Sequence, residues 1–195
     1  MPSTVPLPIA QWHLDGNAND SIGTNNGTAT NVTWQQGKVN EGAIFDTTSK
    51  ILFSNPISFS SHSDFSITSF VNYAAPKAVL FAYGTGGGTY LGATDLGTRI
   101  YSNVGGVEYY FDFQQELNRW FFITHVFSSG NLRVYINGVE STSGAQAVVL
   151  ATMTINFISG YSYGYNLNGM IDEVCCFDYA LSPTQVADLN TYYNS

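Results

Sequence analysis

Three tyrosines at period two, Tyr161, Tyr163 and Tyr165, stand in a polar, glycine-bounded stretch that runs into Asn166. Aromatic faces stack on pyranose rings, and neighbouring amides and hydroxyls meet the sugar's own hydroxyls, so this stretch reads as a binding edge. Tyr90 and Arg99, with Tyr109 and Tyr110, are secondary candidates for the same work. The other reading of these residues is packing over sheet edges or a protein–protein contact. Carboxylates would bring different chemistry. A retaining glycosidase needs two of them about 5–5.5 Å apart. Glu108 and Asp112 share a strand face but lie roughly 13 Å apart by strand rise, too far for that pair. Asp172 and Glu173 are adjacent and are expected on opposite faces. Neither a Glu-x-Asp-x-Glu array nor a Gly-x-Ser-x-Gly elbow occurs. His13, His62 and His125 lack metal-ligand spacing with one another, and His125, in an apolar run, reads as a satisfied core histidine. The glycine-rich Gly84-Thr85-Gly86-Gly87-Gly88 precedes no helix, so it reads as a hairpin tip and not a phosphate cradle. The residues point to binding rather than catalysis.

The elements that would position these groups are short β-type segments separated by Gly, Asn, Ser and Pro clusters. They fall at 9–14, 43–45, 51–53, 65–71, 79–83, 98–101, 107–113, 120–127, 132–136, 155–158 and 170–177. In 132–136 the aliphatic side chains share a face and Arg133 points away. Asn137-Gly138 then predicts a type I′ hairpin turn into Val139-Glu140. In 65–71 the apolar alternation shifts register near Phe70. One helix is expected from Ser182: a serine cap, Pro183 in the first helical position, and Gln185 to complete a capping box. Val186, Leu189 and Tyr193 would form its apolar stripe, which must dock on the sheets because so short a helix is marginal alone.

Composition supports one all-β unit. Hydrophobic residues are 44% and aromatic residues 15% of the 195, enough for a two-layer core. Charged residues are only 10%, and Ser, Thr, Asn and Gly take the surface in their place. The net charge of -8 without a basic stripe argues against nucleic acid and is compatible with divalent cations or neutral glycans. No apolar run nears the roughly 20 residues of a membrane span, and no signal peptide is visible at the N-terminus. The two cysteines, Cys175 and Cys176, are adjacent, so a mutual disulfide is awkward in a strand and reduced thiols are expected. Synthesis in a reducing compartment, with association with a virion, or excision from a longer secreted polypeptide, fits these features.

Several patterns occur in one order along the chain. They are Trp12-His13-Leu14-Asp15-Gly16-Asn17-Ala18-Asn19-Asp20-Ser21-Ile22-Gly23, Gly37-Lys38-Val39 with Gly42-Ala43-Ile44-Phe45-Asp46, and Asp64-Phe65-Ser66-Ile67. Arg119-Trp120-Phe121-Phe122, Leu132-Arg133-Val134-Tyr135-Ile136-Asn137-Gly138, Gly169-Met170-Ile171-Asp172-Glu173-Val174 and Tyr179-Ala180-Leu181-Ser182 with Gln185 follow. The series resembles the laminin-G-like, concanavalin A-like jelly-roll modules over about residues 9–192, with 1–8 as an extension to a single domain covering 1–195. That resemblance implies two antiparallel sheets of six or seven strands, with the first strand pairing near the last and bringing Asp20 and Asp172 together. Members of the family often hold calcium there. Calcium takes six to eight oxygen ligands. Asp20 and Asp172 would supply carboxylates, loop carbonyls would add more, and Asn17 and Asp15 are weaker candidates. The alternative is an Asx turn at Asp20 and backbone N–H bonds to Asp172. The resemblance favours a glycan-binding module with a structural calcium. A virion-associated or adhesion protein engaged in protein–protein contacts is the second reading, and an enzyme the third.

Overall fold

The computed structural model describes residues 1–60, 63–76, 80–83, 89–95, 99–104, 106–149, 152–159 and 166–195. In chain order the strands begin β1 (Ala10–Trp12), β2 (Gly27–Thr30), β3 (Thr33–Gln36), β4 (Glu41–Phe45), β5 (Lys50–Phe59), β6 (Phe65–Tyr73), β7 (Phe81–Tyr83) and β8 (Thr89–Asp95). They continue β9 (Arg99–Val104), β10 (Val107–Asp112), β11 (Trp120–Ser128), β12 (Asn131–Ile136), β13 (Val139–Glu140), β14 (Gln146–Ala147), β15 (Met153–Ser159) and β16 (Gly169–Phe177). Helix α1 (Pro183–Tyr193) ends the fold.

One antiparallel sheet has the order β13-β12-β11-β6-β16-β4-β3, with β1 on β16 and β14 on β12; the other runs β10-β9-β8-β7-β15-β5-β2. Among the described residues one sheet has seven strands, within the expected six or seven, and the other has nine, more than expected. The first strand does pair with the last, Ala10 opposite Cys176 and Trp12 opposite Val174. Between the sheets lies an aromatic-rich core. Trp12 of β1 stacks on Phe53 of β5 at 4.2 Å, and Phe65 is sandwiched between Phe59 at 4.0 Å and Phe127 at 4.3 Å. Each such buried side chain contributes about 1.5–3 kcal/mol relative to an exposed one.

The outer face of the nine-stranded sheet is also covered. Phe70, Phe122, Tyr135, Cys175 and Phe177 pack there beneath Val186 and Leu189 of α1, with Val5 of the N-terminal segment. This explains the broken alternation near Phe70. The register of β6 with β11 is continuous, and both faces of β6 are buried, so polar residues never had to alternate. Cys175 faces the helix layer and Cys176 the inter-sheet core, both as free thiols. His125 is buried as expected, but neither ring nitrogen has a hydrogen-bond partner among the described residues, so it is not a satisfied histidine.

Strands β2, β3 and β8 carry little sequence signal. The first two are exposed edge strands rich in Thr and Gln, and β8 is interrupted where its pairing with β9 shifts register. Of the expected segments 79–83 and 98–101, the strands begin at Phe81 and Arg99, while Val79, Thr98, His62 and the glycine-rich tip lie outside the described residues. Among the described residues no helix is long and apolar enough to cross a membrane.

Candidate functional site

The seam between β1 and β16 holds the expected calcium residues, and each is held by hydrogen-bond donors. Asp20 Oδ1 accepts from the backbone N–H of Gln11, Ile22 and Gly23, each at 3.0 Å. Its Oδ2 accepts from the Asn25 backbone at 3.1 Å and from Asn25 Nδ2 at 2.9 Å. Burial raises the carboxyl, but these bonds outweigh it and hold it below the ordinary aspartate value. Asp172, fully buried, accepts from Lys38 N at 2.8 Å, Val39 N at 2.9 Å and Glu173 N at 2.9 Å. Burial pushes it up to about 7 against those bonds, and the neighbouring Glu173 adds to the rise.

The two carboxylates share no hydrogen-bond partner. Asp15 accepts from Glu41 N and Asn40 Nδ2, and Asn17 closes its own turn through Asn19 N. A carboxylate offers about four lone-pair sites, and five donors already converge on Asp20, so the oxygens a calcium ion would need are taken. Among the described residues no group of three or more His, Cys, Asp or Glu side chains is placed to hold a metal. The expected two-carboxylate clasp does not fit: Asp20 closes an Asx-type turn onto β1, and Asp172 pins the β3–β4 turn.

The expectation that Asp172 and Glu173 face opposite ways fails as well. The register of β16 against β6 shifts between Asp172 and Cys175, and Glu173 adopts φ 49°. Only 2% exposed, Glu173 meets His13 Nδ1 at 2.9 Å and accepts from Gln11 Nε2 at 3.2 Å. Gln11 Nε2 also reaches the Tyr193 hydroxyl at 3.3 Å, which ties β1, β16 and α1 together beside a cleft of about 540 Å³. His13 and Glu173 fall within the ordered patterns, but nothing in those patterns joins them to Gln11; the bulge that gathers them is a backbone event invisible in composition.

The seven-stranded sheet is different, because no helix covers its outer face among the described residues. On that face Tyr90 pairs in register with Asn103, and Asn103 with Glu108; Tyr110 and Asp112 follow Glu108 at period two, with Asp112 opposite Arg99. The Tyr90 hydroxyl donates to Glu108 Oε1 at 2.7 Å, and the Tyr110 hydroxyl donates to Glu108 Oε2. Arg99 Cζ sits 4.5 Å from the centre of the Tyr110 ring, a cation–π contact. Glu108 is held below the ordinary glutamate value by the Tyr110 and Tyr90 hydroxyls, with the Arg99 charge assisting against partial burial. Tyr110 remains 39% exposed. Behind it, Ile100, Val104 and Phe111 anchor the strands in the core.

The structure thus brings together Tyr90, Arg99 and Tyr110 from the sequence candidates and adds Glu108, an exposed residue held by the two tyrosine hydroxyls. Tyr109 packs against the core instead. Asn166 donates from Nδ2 to the Thr47 carbonyl at 2.7 Å, bracing the turn after β4. Tyr161, Tyr163 and Tyr165 lie outside the described residues.

The family model described as the concanavalin A-like lectin/glucanases superfamily matches residues 45–187. The chain belongs to this superfamily. Solved structures agree with that membership. Domain 4 of AbnA, a GH43 extracellular arabinanase from Geobacillus stearothermophilus in complex with arabinotriose, matches with a TM-score of 0.75 at 22% identity. The match covers 94% of this chain and 98% of that one. The binding domain of Paraclostridial Mosquitocidal Protein 1 matches at 0.74 and 16% identity, over 95% of this chain and 52% of that one. The ligand-binding domain of botulinum neurotoxin serotype D, in complex with N-acetylneuraminic acid, matches at 0.69 and 17% identity, over 95% and 50%. This chain spans nearly all of the arabinanase domain but only about half of each toxin domain. No curated protein matches it in sequence. At these identities the likeness establishes a concanavalin A-like fold.

Proposed function

We propose that this superfamily member is a non-catalytic glycan-binding module whose sugar surface is the outer face of β8–β10. The observation that carries the reading is Tyr110, an exposed ring stacked with Arg99 and tethered to Glu108 on a sheet face that no helix covers among the described residues. The exposed part of such a ring offers apolar contact, and the charged and amide groups around it offer hydrogen bonds to sugar hydroxyls. Two solved proteins of this fold, the arabinanase domain and the serotype D domain, hold saccharides, which supports the same class of ligand here.

Binding rather than hydrolysis is supported by how the nearby carboxylates are engaged. Glu108 is capped by two tyrosine hydroxyls, while Asp112 Oδ2 accepts from Thr142 Oγ1 at 2.7 Å, so the two serve separate networks. A glycan array followed by calorimetric titration tests the proposal. At least one glycan is expected to bind, and Tyr110→Ala is expected to weaken it roughly tenfold or more without moving the unfolding midpoint by more than a few degrees. Unchanged affinity in that variant would remove the face from the account.

A further inference from the structure

We infer that this face selects neutral oligosaccharides and turns acidic ones away, with Glu108 as the excluding group. The inference rests on the glycan-binding reading and deepens it to a ligand class. Arg99 is the obvious partner for the carboxylate of a uronate or sialate, yet its surroundings oppose that use. Its Cζ already lies over the Tyr110 ring, 4.5 Å from the centroid. In register it stands opposite Asp112 on β10. Glu108 follows two residues before Tyr110 on the same face. One cation therefore stands between two described acidic residues, Asp112 and Glu108, on a chain whose net charge is already -8.

Glu108 is not a side chain that can swing away. One oxygen takes the Tyr90 hydroxyl at 2.7 Å and the other takes the Tyr110 hydroxyl, so it is tied to two strands at once. A sugar set against the exposed part of Tyr110 must sit beside this charge. If that sugar bears a carboxylate, two like charges about 6 Å apart weaken binding roughly threefold in a water-like medium, and more where the ligand displaces water. A neutral sugar meets no such opposition. Its hydroxyls can donate to the remaining lone pairs of Glu108 and accept from the Arg99 guanidinium, which holds five N–H donors.

The test is titration of the full chain with arabinotriose, xylotriose, maltotriose and chitotriose, and with sialyllactose and trigalacturonate, at low and high salt. The wild-type protein is expected to bind at least one of the four neutral probes with little dependence on salt, and each acidic one about threefold or more weakly than that. Glu108→Gln is expected to improve affinity for an acidic probe about threefold or more, with circular dichroism confirming an unchanged fold. Acidic probes bound as well as neutral ones, with affinity falling as salt rises, would overturn the ligand class and leave glycan binding standing. Acidic binding unmoved by Glu108→Gln would overturn the role of Glu108. No binding to any of the six would overturn both the class and the glycan reading beneath it.

Discussion

Asp20 illustrates how a residue can be found in the sequence for one purpose and serve another. Its position between the first strand and an Asn/Gly-rich loop was legible; the five N–H donors that fill its oxygens were not, because four are backbone groups of β1 and the loop and the fifth is the Asn25 side chain, all gathered by the path of the loop. Asp20→Ala is expected to cost about 2–4 kcal/mol, since several donors lose a charged acceptor together. Chelator is expected to leave the wild-type unfolding midpoint in place; a fall of several degrees would restore calcium to the seam. Two buried groups set opposite pH responses. Asp172 is raised from 3.8 to about 7, so its contribution is fully present below pH 3.8 and is lost as pH rises through 7. His125 is pushed from 6.5 down to about 3 by burial, so its contribution is present above pH 6.5 and is lost as pH falls toward 3. Between pH 4 and 6.5 the two slopes, each at most about 1.4 kcal/mol per pH unit, oppose one another. Asp172→Asn is therefore expected to lose stability on acidification across that window and His125→Leu to gain it, relative to wild type, by chemical denaturation at several pH values. Variants that both track the wild-type curve would contradict this.

At the scale of elements, the signals that survived folding are local ones. The capping box is present as expected, with Gln185 N donating to Ser182 Oγ and Ser182 N donating to Gln185 Oε1. Asn137 and Gly138, at φ 50° and 84°, make the expected tight turn. What the chain did not reveal is that α1 lands on that turn: a Cβ on Gly138 would stand 3.3 Å from Ala187 Cα and from Asn190 Cβ. Gly144, at φ 65°, has nothing within 4 Å of such a Cβ, and so provides a control. Both Gly→Ala changes are expected to cost about 1 kcal/mol for the left-handed backbone. Gly138→Ala is expected to cost more, with the excess appearing as faster hydrogen exchange in α1. Equal effects at the two glycines would mean that the turn does not seat the helix. The bulge at Glu173 belongs to the same class of hidden feature. Period-two reasoning assumes an unbroken ladder, and one extra residue in β16 moves a carboxylate from its expected face to the His13 side.

For the whole molecule, closure of the chain by its own ends was readable, because ordered motifs at both ends resemble one family and the pairing of β1 with β16 follows from that resemblance. The asymmetry between the two sheet faces was not. It depends on where a single short helix docks: α1 and the N-terminal segment cover one sheet, leaving the β8–β10 face of the other to carry Tyr110 and Arg99. The central claim is that this face takes the sugar, and the His13–Glu173 cleft beneath α1 is its rival on the opposite side of the sandwich. Residue-resolved NMR titration with a neutral oligosaccharide found by the array separates the two most directly. Saturable shifts are expected to cluster at Tyr90, Arg99, Asn103, Glu108 and Tyr110. Shifts confined to Gln11, His13, Glu173 and Tyr192, with the β8–β10 face silent, would contradict the claim.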